Sequence, residues 1–249
     1  MALNEIPPKK RKAILVISSH ELDRLEYIPE GSELLLNEQV HLLVPSYVTT
    51  SDLEEKLDNS GLLELGSFLI QSPYDNSDYV ILDEASSTFA LTKYLHFTTL
   101  CGLLGAREVT VEQIEVKTLT GKQTFKGSLG SPYADGKIEA VNRAFEEIRN
   151  NIKLQSKFVG NEPDLDAAEA HLRQYQLSND ISMKSLIDQR KGKNPIKSRE
   201  LTLSLSEESK RNLQVVTDIK VPIYAGLQAQ IEQVKKEVYE FTLTITVDF

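Results

Sequence analysis

The sequence predicts an α+β fold, with a mainly antiparallel sheet, a central buried helix and a helical block at about 137–190. Three observations lead there. "RELTLSLS" (199–206) and "EFTLTITVDF" (240–249) alternate strictly in polarity, as half-buried strands do. "ASSTFALTKYLHFTTLCGLLGA" (85–106) is apolar around most of a helical circumference. "KIEAVNRAFEEIRNNI" (137–152) sets Ile138, Val141, Phe145, Ile148 and Ile152 on one stripe. Strands and helices are partly segregated along the chain, which favours antiparallel pairing over a doubly wound parallel sheet.

The elements follow in order. Residues 1–12 are polar and are expected to form a poorly ordered terminal segment. "KAILVISS" (12–19) suits a buried strand, and "SELLLNEQVHLLVP" (32–45) suits one or two more. Ser51 with Glu54 three residues later marks a capped helix over 52–60, stopped by Gly61. "LGSFLIQSP" (65–73) and "DYVILDE" (78–84) read as strands around a turn. The 85–105 helix ends at Gly105. A strand follows over 107–121, where the step from Val111 to Ile114 breaks alternation and predicts a bulge. Further helices are expected at 164–177, with Leu165, Ala168, Leu172 and Tyr175 inward, and at 180–190. "GLQAQIEQVKKEV" fits either period. The alternation of Leu227, Ala229 and Ile231 favours a strand over 227–238.

With 249 residues, 40% of them hydrophobic, the chain can bury a sizeable core. It reads as one domain over 1–249, with lobes at 1–130 and 131–249 as the natural subdivision. A net charge of −9 disfavours nucleic acid and anionic membranes as partners. The one cysteine, Cys101, cannot form an intrachain disulfide and reads as a buried thiol. With no visible signal peptide, the expectation is a soluble, cytoplasmic protein.

"QIEVKTLTGK" (113–122) resembles the first β-hairpin of ubiquitin, and a helix pattern follows it at 137. The resemblance implies a hairpin over 111–127 and a local ββα unit. Gly121 would supply the positive φ of a bulged turn. The sequence after the helix takes a different course, so no function comes with the hairpin.

Enzymatic signatures are sparse: Walker A, GxGxxG, GxSxG, HExxH and CxxC patterns are all missing. The most enzyme-like cluster is "SSHELDRLEY" (18–27), where Ser18, His20 and Glu21 follow a strand. With the turn around 73–84 they would make a hydrolase-like site. The competing reading is a capped helix start with Ser19 as the cap. The four histidines show no ligand spacing, so no metal or cofactor is expected.

Charge is more informative. Residues 50–88 carry nine carboxylates against one base, Lys56. Residues 184–200 carry six bases against two acids, and the loop there offers Arg190, Lys191, Lys193, Lys197 and Arg199 as binding residues. Such bipolar charge suits head-to-tail self-association or docking on a charged protein partner. "PKKRK" (8–12) could serve as an import signal or polyanion tether, or be a plain solvated segment.

The reading these observations favour is a soluble intracellular, non-enzymatic interaction or assembly protein. A hydrolase-like enzyme near 18–23 and 73–84 is the first alternative. The second is a membrane-acting protein that refolds segments 199–206 and 227–249 into amphipathic hairpins.

Overall fold

The computed structural model describes residues 11–45, 51–117, 122–126, 133–135, 146, 148–152, 154–217, 219–222, 224–236 and 240–249. In chain order the elements are β1 (Ala13–Val16), α1 (Ser19–Tyr27), α2 (Gly31–Leu35), β2 (Val40–Leu43), α3 (Asp52–Asn59), β3 (Phe68–Gln71) and β4 (Tyr79–Ile81). Then come α4 (Ala85–Leu103), β5 (Glu108–Lys117), β6 (Lys122–Lys126), β7 (Tyr133–Asp135), β8 (Gln155–Lys157), α5 (Leu165–Gln174) and α6 (Ile181–Arg190). The last are β9 (Ser198–Ser204), α7 (Glu207–Thr217), α8 (Ala225–Lys236) and β10 (Glu240–Asp248). Two mostly antiparallel sheets with helices make this an α+β fold. The chain divides into two compact units, Met1–Ala85 with Glu208–Glu237, and Ser86–Glu207 with Val238–Phe249.

In the first unit the strand order is β2-β1-β3-β4. β1 and β2 run parallel, and the chain crosses between them through α1 and α2, as parallel neighbours require. Ala13 to Ile17 are wholly buried, which a strand achieves only when both faces are covered. One face packs Ile14, Val16, Leu69 and Tyr79 against Leu57 of α3. That helix is fixed at its start by the Ser51 hydroxyl, which accepts from Glu54 N.

The second unit holds the sheet β7-β6-β5-β10-β9, with β8 also on β5. The alternation of β10 becomes an apolar row on one face. Phe241 pairs with Val116, Leu243 with Ile114 and Leu203, and Ile245 with Val111 and Leu201. The expected bulge is present: Thr244 pairs with Gln113 and Ile245 with Val111, leaving Glu112 as the extra residue. Without it Val111 and Ile114 would point to opposite faces. The β5–β6 hairpin forms, closing at Lys117↔Lys122, and its turn lies outside the described residues. Of the helix expected at 137–152, residues 146 and 148–151 are helical, with Ile148 and Ile152 buried, and most of the rest lies outside the described residues.

Several expectations are corrected. Residues 31–35 are helical, not extended: of the Leu34–Leu36 run only Leu34 is buried, and Leu36 is 81% exposed. Residues 225–236 are a helix, not the strand favoured for 227–238. Leu227 and Ile231 are buried and Val234 half-buried, steps of four and three, while Ala229 is exposed. A strand would have put Ala229 beside Leu227, so the alternation was coincidental, and no hairpin spans 227–249. α7 was not anticipated, because polar Ser209 and Asn212 share its buried side with Leu213. α4 buries a stripe from Phe89 through Lys93 and Phe97 to Leu104, but Leu95 opposite is 61% exposed. At the amino end, Arg11 is buried and Lys12 N donates to Gln39 O, so these two residues of "PKKRK" belong to the fold.

Candidate functional site

The helix start is capped one residue earlier than expected: Ser18, not Ser19, is the N-cap of α1. Its hydroxyl accepts from Glu21 N at 3.2 Å and donates to Glu21 Oε2 at 2.8 Å, while Ser18 N donates to the same oxygen at 2.8 Å. This reciprocal capping box occupies both side chains. Burial raises the Glu21 pKa, but the nearby Tyr224 hydroxyl, the Ser18 hydrogen bonds and the Arg24 charge outweigh it and hold the carboxyl below its usual range. Burial, then Glu21 itself, pushes the Tyr224 phenol up. His20 is exposed on the first turn.

The turn of the hydrolase-like site lies at the other end of the strand. Leu15 pairs with Phe68 and Ala13 with Ile70, and Gln71 N donates to Lys12 O. The turn after Gln71 therefore sits beyond the amino end of β1, and Ser18 beyond its carboxyl end. At ~3.3 Å per residue the two are about 20 Å apart along the strand. Within the turn, Asp75 Oδ1 accepts from Ser77 N and Ser77 Oγ, both at 2.8 Å, which lowers its pKa. Ser18, His20 and Glu21 are thus remote from the 72–78 turn, whereas β4, antiparallel to β3, carries residues 79–84 back towards the carboxyl end of β1.

The basic loop resolves into two groups. Arg190 is structural: Nε donates to Leu104 O at 3.0 Å and Nη1 to Ile196 O at 2.7 Å, with the guanidinium 4.3 Å above the Phe249 ring. Arg199 donates to Ser185 Oγ. Lys191 is exposed and pairs with Glu169 at 2.7 Å and Asp188 at 3.5 Å. Lys193 and Lys197 are exposed, with no ion pair among the described residues. Of the nine carboxylates in 50–88, Glu54 is buried and the other eight face solvent. Lys56, the base among them, is tied to Asp78 and to Ser77 O.

Two polar groupings in the second unit, one buried and one half-buried, escaped sequence reasoning. Lys93 Nζ meets Asp180 Oδ2 at 2.7 Å with both side chains buried. The available signal was a lysine at helical spacing between Phe89 and Phe97. His96, His171 and Tyr175 form the other, with ring centroids 4.0 to 5.2 Å apart. Burial, then the neighbouring imidazole, lowers His96 to about 4, and burial also lowers His171. In the first unit, burial and then the Arg11 charge lower His41 to about 4. Depressed histidines favour the neutral form in the folded state. Their stabilisation is therefore full above the ordinary value near 6.5 and is lost as pH falls towards about 4. Unfolding followed by fluorescence should show stability falling through that window. His96→Phe should flatten part of the fall; an unchanged profile would dismiss the imidazole cluster as its source.

Burial raises the Cys101 thiol, as expected of an inert structural cysteine. Among the described residues, no three His, Cys, Asp or Glu side chains gather as a metal site. Nor is any helix among them long and apolar enough to cross a membrane. No protein-family model, curated protein or solved structure matches this chain. The functional reading therefore rests on the surfaces themselves.

Proposed function

We propose that the chain is a non-enzymatic interaction or assembly protein that works through charge-complementary surfaces. The observation that carries this reading is the exposed charge. Eight carboxylates between Asp52 and Glu84 face solvent on the first unit. Lys184, Lys191, Lys193 and Lys197 face solvent on the second. Opposed surfaces of this kind steer association and fix its orientation. The engagement of Ser18 and Glu21 in a helix cap also supports an interaction role over hydrolysis. A cytoplasmic setting goes with the reading, supported by the single buried thiol of Cys101.

Light scattering coupled to gel filtration tests it. At an ionic strength on the order of 0.05 M, the mass should rise above the 28.0 kDa monomer as concentration increases. At about 0.5 M salt it should return towards the monomer, because exposed charge pairs are screened. A strict monomer in both conditions, capturing no partner, would overturn the proposal.

A further inference from the structure

We infer that the groove between α5 and α6 receives the acidic α3 helix of a second copy of the chain. The inference rests on the interaction reading above and names the surfaces that carry it. The groove encloses a cavity of about 350 Å³. Its floor is apolar, from Leu172 and Ile187. Its rim carries Arg173, Lys184 and Lys191 against Glu169 and Asp188, a small cationic excess. Glu169 and Asp188 offset Arg173 and Lys191, whereas Lys184 is exposed with no ion pair among the described residues and carries the excess.

The exposed side of α6 extends this surface. Ile181, Lys184, Asp188 and Lys191 recur at steps of three, four and three, so they share one stripe. Ile181 heads it and is 84% exposed. A large aliphatic side chain held in water beside a cation suits an occupant that brings carboxylates on aliphatic stems.

The chain carries such an occupant. α3 displays Asp52, Glu55 and Asp58 to solvent, while Leu53 packs inward against the first unit's core. Its lysine, Lys56, is engaged by Asp78, so it does not offset the outward carboxylates. Donor and acceptor are different surfaces, so each contact joins unlike patches, head to tail.

The test uses two variants of the full chain, each checked for native circular dichroism. A groove variant carries Arg173→Glu and Lys184→Glu. An α3 variant carries Asp52→Lys, Glu55→Lys and Asp58→Lys. All five positions are exposed, so folding should survive. Each variant alone should stay monomeric where wild type assembles. Mixed, they should form a one-to-one dimer and nothing larger, because one intact groove meets one intact α3 and both ends are then blocked. Ile181→Ser should weaken wild-type assembly on the order of tenfold. If wild type assembles but either variant still assembles alone, or the mixture stays monomeric, the inference is overturned and the interaction reading stands. If wild type neither assembles nor captures a partner, both fall.

Discussion

Lys93→Ala is expected to cost about 3–5 kcal/mol and to lower the melting midpoint by about 6–20 °C. Lys93 is fully buried, and its ammonium lies 2.7 Å from Asp180 Oδ2. The same carboxylate caps α6, with Oδ1 accepting from Met183 N at 2.9 Å. Removing the ammonium leaves a buried carboxylate without its counter-charge, and the cost is mostly that stranded charge rather than the lost attraction. A double variant separates the two. Lys93→Met with Asp180→Asn removes both charges, and asparagine is as good an N-cap as aspartate. It should recover most of the loss. Thermal unfolding by circular dichroism at neutral pH is the measurement. A Lys93→Ala midpoint within about a degree of wild type would show that the pair contributes little net stability.

The second large effect is expected at Gly105, which ends α4 with φ +79°. A non-glycine residue there costs about 1–3 kcal/mol in backbone strain alone. A Cβ would also stand 2.0 Å from Asn161 O. That oxygen is main chain and cannot rotate aside, so the 158–162 segment would have to move. The neighbouring bond from Asp164 N to Leu103 O would be disturbed with it. Gly61 and Gly192 supply the control. Both have positive φ, but a Cβ on either meets nothing within 4 Å. Gly105→Ala should therefore lose clearly more stability in urea than Gly61→Ala or Gly192→Ala. Equal losses in all three would mean that the contact with Asn161 relaxes freely.

Much of the fold was legible where the signal is local. Ser51 announced α3 because a cap needs only a hydroxyl and the next turn of amides. The 240–249 alternation announced β10, and the Val111–Ile114 step announced its partner's bulge, because both follow from a two-residue period. Reading failed where the deciding partner is distant. "GLQAQIEQ" satisfies two periods at once, and only packing exposes Ala229 and selects the helix. Asn212 looks like a surface residue, yet its amide donates to Gln71 O in β3.

The candidate surfaces divide in the same way. The acidic stretch survived almost intact, because short polar carboxylates stay in water unless something pairs them. The basic loop did not. Arg190 and Arg199 share the composition of their lysine neighbours, but a guanidinium can satisfy several carbonyls with its donors. Arg190 does so with Leu104, far away in the chain. Composition could not distinguish a loop arginine that binds a partner from one that ties down its own loop.

The placement of β10 has a consequence for how the chain is made. β10 lies between β5 and β9, yet it is synthesised after both. Until residues 240–248 leave the ribosome, β5 and β9 each keep an unfilled edge, and the first unit likewise waits for residues 208–237. Neither unit can close while most of the chain is being translated. Non-local pairings of this kind fold slowly and leave strand edges open to wrong partners. The nascent chain is thus at its most aggregation-prone just before β10 emerges.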